Sequence, residues 1–546
     1  MANRHGGKIL ADQLAIQGVT RVFSVPGESF LAALDGLYDH DIQNIVCRQE
    51  GGASLMAEAH AKATGRAGVV FVTRGPGATN ASSGLHVAMQ DSTPLVCFIG
   101  QVELKHRDRG AFQEVDYRAF FGPLVKWAAE VESTERLPEY IARAFQVAQS
   151  GRPGPVVLAL PEDVLSAMAD TPDLGAARVV HQSVDPSLAR DAMEQLLSHA
   201  HPMIMVGGSQ WSEKARLDLE ALATRTGLPV VTSFRRQDYI DNAHPNFIGY
   251  AGVGASAHVQ KQLQQADAIL VLGARLGDTA TGGYTLIDPA SPNKSIIHVH
   301  PDPDELGTVY QPSLAIAATA PDMLAALSGL NDLPKTRSED AARGQAALAA
   351  WQIPQETPGA VKLEEVVHWL SNHLDGRGII TNGAGNYAAF VHRYMQYRRY
   401  GAQLAATSGS MGYGLPAAIA AKLAIPRETV ICFAGDGCFQ MTMQELSTAR
   451  QYGADIIVII ANNGRYGTIR MHQEKHYPGR VSGTDLFNPD YMILAQAYGG
   501  TGHIITRTEQ FAQAFQQAEQ GGLHIIELKL DPDMLTTSYA LSDIAT

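Results

Sequence analysis

The sequence predicts an α/β protein made of three doubly wound domains, each built around a parallel β-sheet. The chain has 546 residues, enough for about three or four domains. Short apolar runs that end in glycine-containing turns alternate with stretches typical of helices, which is the pattern of parallel strands and crossover helices. Two polar stretches, residues 166–195 and 331–358, separate this pattern into parts. We therefore expect domains over residues 1–165, 190–330 and 360–546.

The first expected domain contains helical patterns over residues 6–17 and 53–64. Its apolar runs predict strands that end in turns, as parallel strands do. The expected strands are residues 21–25, 45–48, 69–73, 95–99 and 156–160.

The second expected domain repeats the alternation, with glycines directly after two of its strands. Gly207 and Gly208 follow the first strand, and Gly273 follows another. The expected strands are residues 203–206, 230–232, 268–272 and 296–299.

The third expected domain holds two apolar runs, residues 430–435 and 456–461, with a helical pattern between them. A strand, a helix and a strand in this order predict parallel strands joined by a right-handed crossover. Asp436 and Asn463 then lie at one carboxyl edge of the sheet, where open α/β sheets bind ligands. A carboxylate beside an amide oxygen suits Mg²⁺, which commonly keeps phosphate ligands. The alternative is that both are ordinary turn residues.

Composition and charge limit the possible functions. Apolar residues make up 45% and charged residues 18% of the chain, as in ordinary globular proteins. The formal net charge of -13 argues against nucleic-acid binding, which requires a basic surface. We expect no membrane span and no signal peptide. The cysteines Cys47, Cys97, Cys432 and Cys438 form no CxxC pair, so reduced thiols and a cytoplasmic location are expected.

The first and third domains share a repeat at a spacing of 360 residues. Gly52 corresponds to Gly412 and Lys62 to Lys422, and the turn glycines Gly75 and Gly77 correspond to Gly435 and Gly437. The repeat indicates two related domains that could face each other across a site. The alternative is that the match reflects only the alternation of strands and helices common to α/β domains.

The stretch from Gly435-Asp436-Gly437 to Asn462-Asn463 resembles the metal-binding signature of thiamine-diphosphate enzymes. Further segments resemble the acetolactate-synthase branch of that family and cover nearly the whole chain. These segments are residues 48–54 (RQEGGAS), 73–80 (TRGPGATN), 91–94 (DSTP), 111–114 (AFQE), 407–416 (TSGSMGYGLP) and 488–490 (NPD).

The resemblance implies a thiamine diphosphate site with Mg²⁺ held by Asp436, Asn463 and the carbonyl of Arg465. Glu50 would hydrogen-bond the aminopyrimidine ring, and Met411 would wedge the cofactor into a bent shape, unless it is plain core packing. Phe112 and Gln113 would line the substrate side, unless they are interface packing. The implied cofactor contacts are Pro26, Gly27, Glu50, Gly75, Asn80, Asn386, Tyr387, Gly409, Ser410, Met411, Gly435, Asp436, Gly437, Cys438, Asn463, Arg465, Tyr466, Gly467 and Thr468.

The implied activity is decarboxylation of a 2-oxo acid such as pyruvate, with or without ligation to a second carbonyl compound. Another lyase, a C–C hydrolase, a flavin-linked oxidase and an inactive nucleotide-binding paralogue are the alternatives. The resemblance also implies a homodimer or homotetramer, because facing subunits complete the site in the family.

Three departures from the branch concern substrate and flavin. Met471-His472-Gln473 stands where the branch usually has Gln-Trp-Gln, which puts branched-chain biosynthesis in doubt. Residues 275–279 (RLGDT) lack the second arginine of flavin-binding relatives, so FAD is left open. Arg109 and Gly110 stand where decarboxylase relatives carry a histidine pair.

Overall fold

The computed structural model describes residues 3–180, 182–330, 332–336 and 339–544. Within them lie three six-stranded sheets, and all neighbouring strands in each sheet are parallel. This confirms the predicted fold class. No helix in the described ranges is long and apolar enough to cross a membrane. The predicted domain limits stay predictions, and both predicted connections contain residues outside the described ranges.

The six-stranded sheet of the N-terminal domain contains the five predicted strands and one more, and a separate two-stranded sheet pairs Arg4–His5 with Met168–Ala169. The additional strand, Trp127–Glu130, lies at a sheet edge and is only half-buried at its start, so it gives little apolar signal. In sheet order the strands are Gln43–Val46, Arg21–Ser24, Gly68–Val72, Leu95–Gln101, Pro155–Pro161 and Trp127–Glu130. The helices are Gly6–Ile16, Leu31–Tyr38, Glu50–Thr64, Pro76–Asp91, Tyr117–Phe121, Leu137–Gln149 and Glu162–Ser166.

The segment around Glu50 is helical, whereas the sequence predicted a turn there and a helix from residue 53. Helix Glu50–Thr64 begins at Glu50 because the Gln49 side chain accepts a hydrogen bond from the amide of Gly52 and caps the first turn. Glycine at positions 51 and 52 of this helix leaves room for groups that pack closely on its first turn. A Cβ on Gly52 would lie 2.5 Å from a carboxylate oxygen of Glu445.

The strand order of the central sheet differs from that of the N-terminal sheet. In the central sheet the first strand lies between the second and the fourth, which creates a topological switch point. In sheet order the strands are Phe247–Ala251, Val230–Ser233, Pro202–Val206, Ala268–Leu272, Ser295–His300 and Leu314–Ala317. The helices are Pro186–Leu197, Glu213–Thr226, Ala257–Gln265, Ala320–Ser328 and Asp340–Trp351.

Two of these helices lie partly or wholly in the polar stretches 166–195 and 331–358 that separate the predicted domains. Helix Pro186–Leu197 starts inside the first stretch, and Asp340–Trp351 lies inside the second. The second helix packs closely on the central domain at Gly344. A Cβ added to this glycine would lie only 2.5 Å from the Ile248 side chain, so the close approach requires glycine. Leu348 of the same helix is buried in the domain core.

The C-terminal domain confirms the predicted parallel pairing of the two diagnostic strands. Val430–Gly435 lies beside Ile457–Asn462, with Gly435 opposite Ala461. In sheet order the strands are Gln403–Ala405, Ile379–Asn382, Val430–Gly435, Ile457–Asn462, His524–Lys529 and Thr501–Ile505. The helices are Leu363–Leu374, Tyr387–Tyr394, Gly414–Ala424, Asp436–Gln440, Leu446–Gln451, Gly467–His476, Tyr491–Ala497 and Phe511–Ala518.

The first and third sheets share one topology. In each, the second strand of the domain forms one edge and is followed by the first, third, fourth, sixth and fifth. The central sheet does not follow this order. The common order supports the predicted repeat, since alternation of strands and helices alone does not require it.

The two repeated domains pack directly on each other within one chain. Helix Glu50–Thr64 lies against helix Gly414–Ala424, and residues of both domains form one hydrophobic core. A buried polar network crosses this contact: Tyr413 donates its hydroxyl to Glu58 at 2.6 Å, and the Thr407 amide donates to Asp91 at 2.8 Å. The network fixes the segment that carries Met411.

Candidate functional site

The predicted metal edge centres on Asp436, the first residue after strand Val430–Gly435. The Asp436 carboxylate is buried and accepts hydrogen bonds from the Gly437 amide at 2.9 Å, the Gly464 amide at 2.9 Å and the Asn488 side chain at 2.8 Å. Burial raises the pKa of Asp436 above its ordinary value, against these hydrogen bonds, which lower it. A cation at this carboxylate would offset the desolvation, so the site suits one electrostatically.

The second strand end supplies neutral oxygen donors. Asn463 follows strand Ile457–Asn462, and its side-chain oxygen accepts the Arg465 amide at 3.3 Å. The Arg465 carbonyl accepts the Gly467 amide at 2.9 Å. The described part of the chain contains no cluster of three or more His, Cys, Asp or Glu residues able to hold a metal. One carboxylate with amide and backbone oxygens is a donor set that fits Mg²⁺ sharing phosphate ligands.

A cavity of about 270 Å³ opens beside this edge. Its walls come from the C-terminal domain, between Ala384 and Leu535. The predicted cofactor contacts that line it are Asn386, Tyr387, Gly409, Met411, Gly435, Asp436, Gly437, Cys438, Asn463, Arg465, Tyr466, Gly467 and Thr468. Ser410 is the predicted residue of this domain that does not line the cavity; its hydroxyl donates to the Met411 carbonyl at 3.3 Å.

Glycines allow the aromatic walls of the cavity to approach the backbone. A Cβ on Gly437 would lie 2.5 Å from the Tyr466 ring, and one on Gly435 would lie 2.9 Å from the Tyr387 ring. The Tyr387 hydroxyl donates to the Cys438 sulfur at 3.4 Å. Burial raises the pKa of Tyr387 well above its ordinary value, so the phenol stays a neutral donor that fixes this wall.

Met411 is half-buried, and its surroundings fit both a cofactor-bending wedge and ordinary core packing. It packs against the hydrophobic core of the C-terminal domain, and it also lines the cavity. Gly412, with φ +80°, follows it and donates its amide to the Cys438 sulfur at 3.3 Å. The backbone on one side of Met411 is thereby fixed, while the role of its side chain as a wedge stays a prediction.

The predicted residues of the N-terminal domain meet at the carboxyl edge of their own sheet. The Asn80 side chain donates to Glu50 at 3.0 Å, and a Cβ on Gly77 would lie 3.1 Å from the other Glu50 oxygen. A Cβ on Gly75 would lie 2.8 Å from that of Gln113. A carboxylate, an amide and bare backbone are therefore grouped together, as recognition of a polar ring requires.

The same edge continues to Gly27 and ends in exposed side chains. Gly27 packs on Thr73, and a Cβ added to Gly27 would lie 2.4 Å from the Thr73 side chain. Pro26 is exposed, and Phe112 has 72% of its surface exposed with the Arg74 guanidinium 5.9 Å from its ring centre. Gln113 has φ +63°, a strained value for a non-glycine residue. Because the walls of the C-terminal cavity lie between residues 384 and 535, this edge does not line the cavity of its own chain.

Sequence reasoning missed residues on the far side of the cavity and behind the metal edge. Leu530, Met534 and Leu535 line the cavity from the segment after the last strand. Asn488 lay in a segment noted only for its resemblance, yet it donates to Asp436 and also to the Asn462 oxygen at 2.8 Å. Gln440 in turn donates to Asn488 at 2.7 Å.

A separate cleft of about 470 Å³ includes Arg275 and Asp278 of the central domain, and its walls also contain Asp91 of the N-terminal domain and Thr407 of the C-terminal domain. Arg275 is already paired, since its Nε donates to Glu305 at 3.0 Å. At the switch point, a Cβ on Gly208 would lie 2.1 Å from the Gly273 carbonyl. Gly208 and Arg275 both line this cleft, so FAD binding stays an open prediction.

Comparison with known proteins gives matches in all three domains. The chain matches the N-terminal TPP binding domain of thiamine pyrophosphate enzymes over residues 4–120, the central domain over 189–327 and the C-terminal TPP binding domain over 383–528. Thiamine pyrophosphate is another name for thiamine diphosphate.

Whole-chain relatives extend the same result. The chain is 31% identical to the acetolactate synthase isozyme 2 large subunit of Escherichia coli over 533 residues, covering 96% of each chain. It is 32% identical to the mitochondrial acetolactate synthase catalytic subunit of Saccharomyces cerevisiae over 558 residues, covering 96% of this chain and 80% of the relative. The chain therefore belongs to the thiamine pyrophosphate enzymes, in their acetolactate synthase-like branch.

Proposed function

We propose that the protein is a thiamine diphosphate- and Mg²⁺-dependent carboligase or decarboxylase that acts on a 2-oxo acid such as pyruvate. The observation that carries this proposal is the cavity in which Asp436, Asn463 and the Arg465 carbonyl share one edge. Asp436, Asn463 and Arg465 would hold the cation against the diphosphate. When bound, the cofactor supplies the nucleophilic carbon and the electron sink of the reaction.

Glu50 would hold a proton against the aminopyrimidine ring. The Asn80 amide donates to one Glu50 oxygen, which orients the carboxylate and leaves its other oxygen beside Gly77, where no side chain blocks approach. A fixed proton donor and acceptor of this kind contributes typically 10²- to 10⁴-fold to rate. Gln113 and Phe112 would meet the substrate at the same edge, the amide of Gln113 by hydrogen bonding to an oxygen.

The site requires a second copy of the chain in this proposal. The Glu50 edge and the Asp436 cavity belong to different domains, and the cavity walls contain no part of residues 1–165. In a homodimer or homotetramer with twofold symmetry, each chain would give its Glu50 edge to the partner's cavity.

Complementation between two inactive variants tests this arrangement. Glu50→Gln and Asp436→Asn each remove one half of the site, so a mixed dimer contains one intact site if the halves come from different chains. Random mixing then restores about a quarter of wild-type activity, because half of the dimers are mixed and each has one of two sites intact. No recovery in mixed dimers isolated with two affinity tags would show that each chain builds its own site.

The reaction itself is tested by a screen of 2-oxo acids with thiamine diphosphate and Mg²⁺, with CO₂ and ligated products measured by mass spectrometry. Glu50→Gln is the matched control, since it keeps the shape of the side chain and removes its charge. Unchanged CO₂ release by that variant would eliminate the proposed role of Glu50. Failure of every 2-oxo acid would favour another lyase or a C–C hydrolase, and absence of cofactor binding would favour a nucleotide-binding paralogue.

We derive no flavin step for the central domain. The absorbance spectrum of the purified protein decides whether FAD is bound, and a flavin spectrum would show that it is. We also propose a cytoplasmic location. The four cysteines are free and buried, which suits a reducing compartment.

A further inference from the structure

A buried carboxylate of the C-terminal domain contacts the backbone directly before Glu50. Glu445 is fully buried, and one of its oxygens accepts the amides of Arg48 and Gln49, both at 3.1 Å. Its other oxygen accepts the Thr448 hydroxyl at 2.6 Å. Four hundred residues of chain separate the partners, so this contact joins the two repeated domains at the segment that leads into helix Glu50–Thr64.

The fit around this carboxylate is tight. Gly52, in the first turn of the same helix, leaves only enough room for it, since a Cβ there would lie 2.5 Å from a Glu445 oxygen. The two amides that it accepts precede the helix and have no place in its internal hydrogen-bond pattern. Burial raises the pKa of Glu445 above its ordinary value, against the hydrogen bonds from Thr448, Arg48 and Gln49.

Glu445 also belongs to the segment that carries the metal edge. Helix Asp436–Gln440 leads into a 3₁₀ turn, Met443–Glu445, whose last residue is Glu445. The amide of Glu445 donates to the Thr442 carbonyl at 2.9 Å, and the Thr442 hydroxyl donates to the Gly412 carbonyl at 2.8 Å, next to Met411. One short segment therefore connects the metal edge, the Met411 loop and the start of the Glu50 helix.

We propose that Glu445 is a positioning residue that fixes the Glu50 carboxylate for its reaction partner. The inference rests on the proposed function, in which each chain gives Glu50 to the other chain's cavity. It follows that a carboxylate on the segment that follows the metal edge of one chain sets the geometry of the glutamate in the neighbouring site. A shift of about 1 Å in such a group costs on the order of 100-fold in rate.

Glu445→Ala tests the role of the contact. The expected result is a loss of at least about tenfold in the rate of exchange of the cofactor's thiazolium proton and in kcat, with KM and the Kd for thiamine diphosphate changed by less than about threefold. Glu445→Gln keeps an oxygen that can accept both amides, so it restores most of the exchange rate. A folded Glu445→Ala protein with wild-type exchange overturns the inference.

A second variant perturbs the same contact from the other side if Glu445→Ala does not fold. Gly52→Ala pushes the carboxylate away, because the added methyl group would overlap it, and the same exchange defect is expected. Gln451→Ala is the matched control: the Gln451 side chain contacts the Arg48 guanidinium across the same boundary but not the backbone amides. Thermal unfolding, cofactor affinity by calorimetry and size-exclusion chromatography show whether each variant keeps its fold and assembly.

Mixed dimers with one intact site decide which chain transmits the effect. Placed on the chain that supplies Glu50, Glu445→Ala should lower exchange about tenfold more than on the chain that supplies Asp436. Equal effects would overturn the inference. If Glu50→Gln itself leaves exchange unchanged, the proposed function fails; if only the Glu445 and Gly52 variants leave it unchanged, the positioning role alone fails.

Discussion

Asn488→Ala is expected to weaken the metal site without touching any predicted ligand. Asn488 donates one amide to both Asp436 and Asn462, each at 2.8 Å, and accepts from Gln440 at 2.7 Å. Its removal leaves the buried Asp436 oxygen with one donor, the Gly464 amide. Partners that hold a ligand in place typically contribute 10- to 100-fold to metal affinity, which corresponds to about 1.4 to 2.8 kcal/mol.

The magnitude is measured by titrating Mg²⁺ into the protein with saturating thiamine diphosphate and following cofactor binding by calorimetry. Asn488→Asp is the informative companion, because it keeps the size of the side chain but sets a second carboxylate against Asp436. Without Mg²⁺ the repulsion should destabilise the fold more than the alanine variant does. A wild-type Mg²⁺ affinity in Asn488→Ala would refute the reasoning that Asn488 holds Asp436 in place.

Three further predictions concern other parts of the chain. Burial raises the pKa of Asp238 from its ordinary value to about 6, so ionisation of Asp238 costs stability increasingly as the pH rises toward 6, and the full cost is present above that pH. Asp238→Asn should therefore raise the melting temperature at pH 8 but not at pH 4, and a pH-independent difference would contradict this. Gly437→Ala forces a methyl group against the Tyr466 ring and should weaken cofactor binding at least about tenfold, as measured by calorimetry. Unchanged affinity would show that the Tyr466 ring moves to make room for the methyl group. Tyr413→Phe removes the donor to buried Glu58 and should lower the free energy of unfolding by about 1 to 3 kcal/mol in denaturant, whereas no change would mean that another donor replaces it.

The C-terminal half of the site was predictable because its signal is local. Asp436 and Asn463 follow two strands joined by one crossover, and parallel pairing brings the carboxyl ends of such strands to the same edge of the sheet. The structure adds the register, with Gly435 opposite Ala461. Asn488 was not assigned a role because it reaches Asp436 from a loop 52 residues away. The sequence has no periodic signal for such a contact.

Helix starts and short edge strands were predicted less well, again for physical reasons. Helix Glu50–Thr64 begins three residues early because Gln49 caps it and Glu445 fixes the backbone before it, and the second cause comes from another domain. The strand Trp127–Glu130 is short and only partly buried, so its composition does not differ from that of a loop. Tertiary contacts decide both cases.

The repeat accounts for how a single chain can hold both predicted halves of the site and keep them apart. The spacing of 360 residues aligns helix Glu50–Thr64 with residues 410–424, and the structure shows that this helix packs on Gly414–Ala424, its counterpart in the repeat. The contact within the chain therefore pairs the helix that begins at Glu50 with the helix that follows Met411. It leaves the Glu50 edge outside the cavity walls. In the proposed twofold dimer the missing contact would form twice, since the same pair of surfaces would meet in both directions. Glu445 would then lie where the contact within one chain meets the proposed contact between two, so a single buried carboxylate would couple both sites.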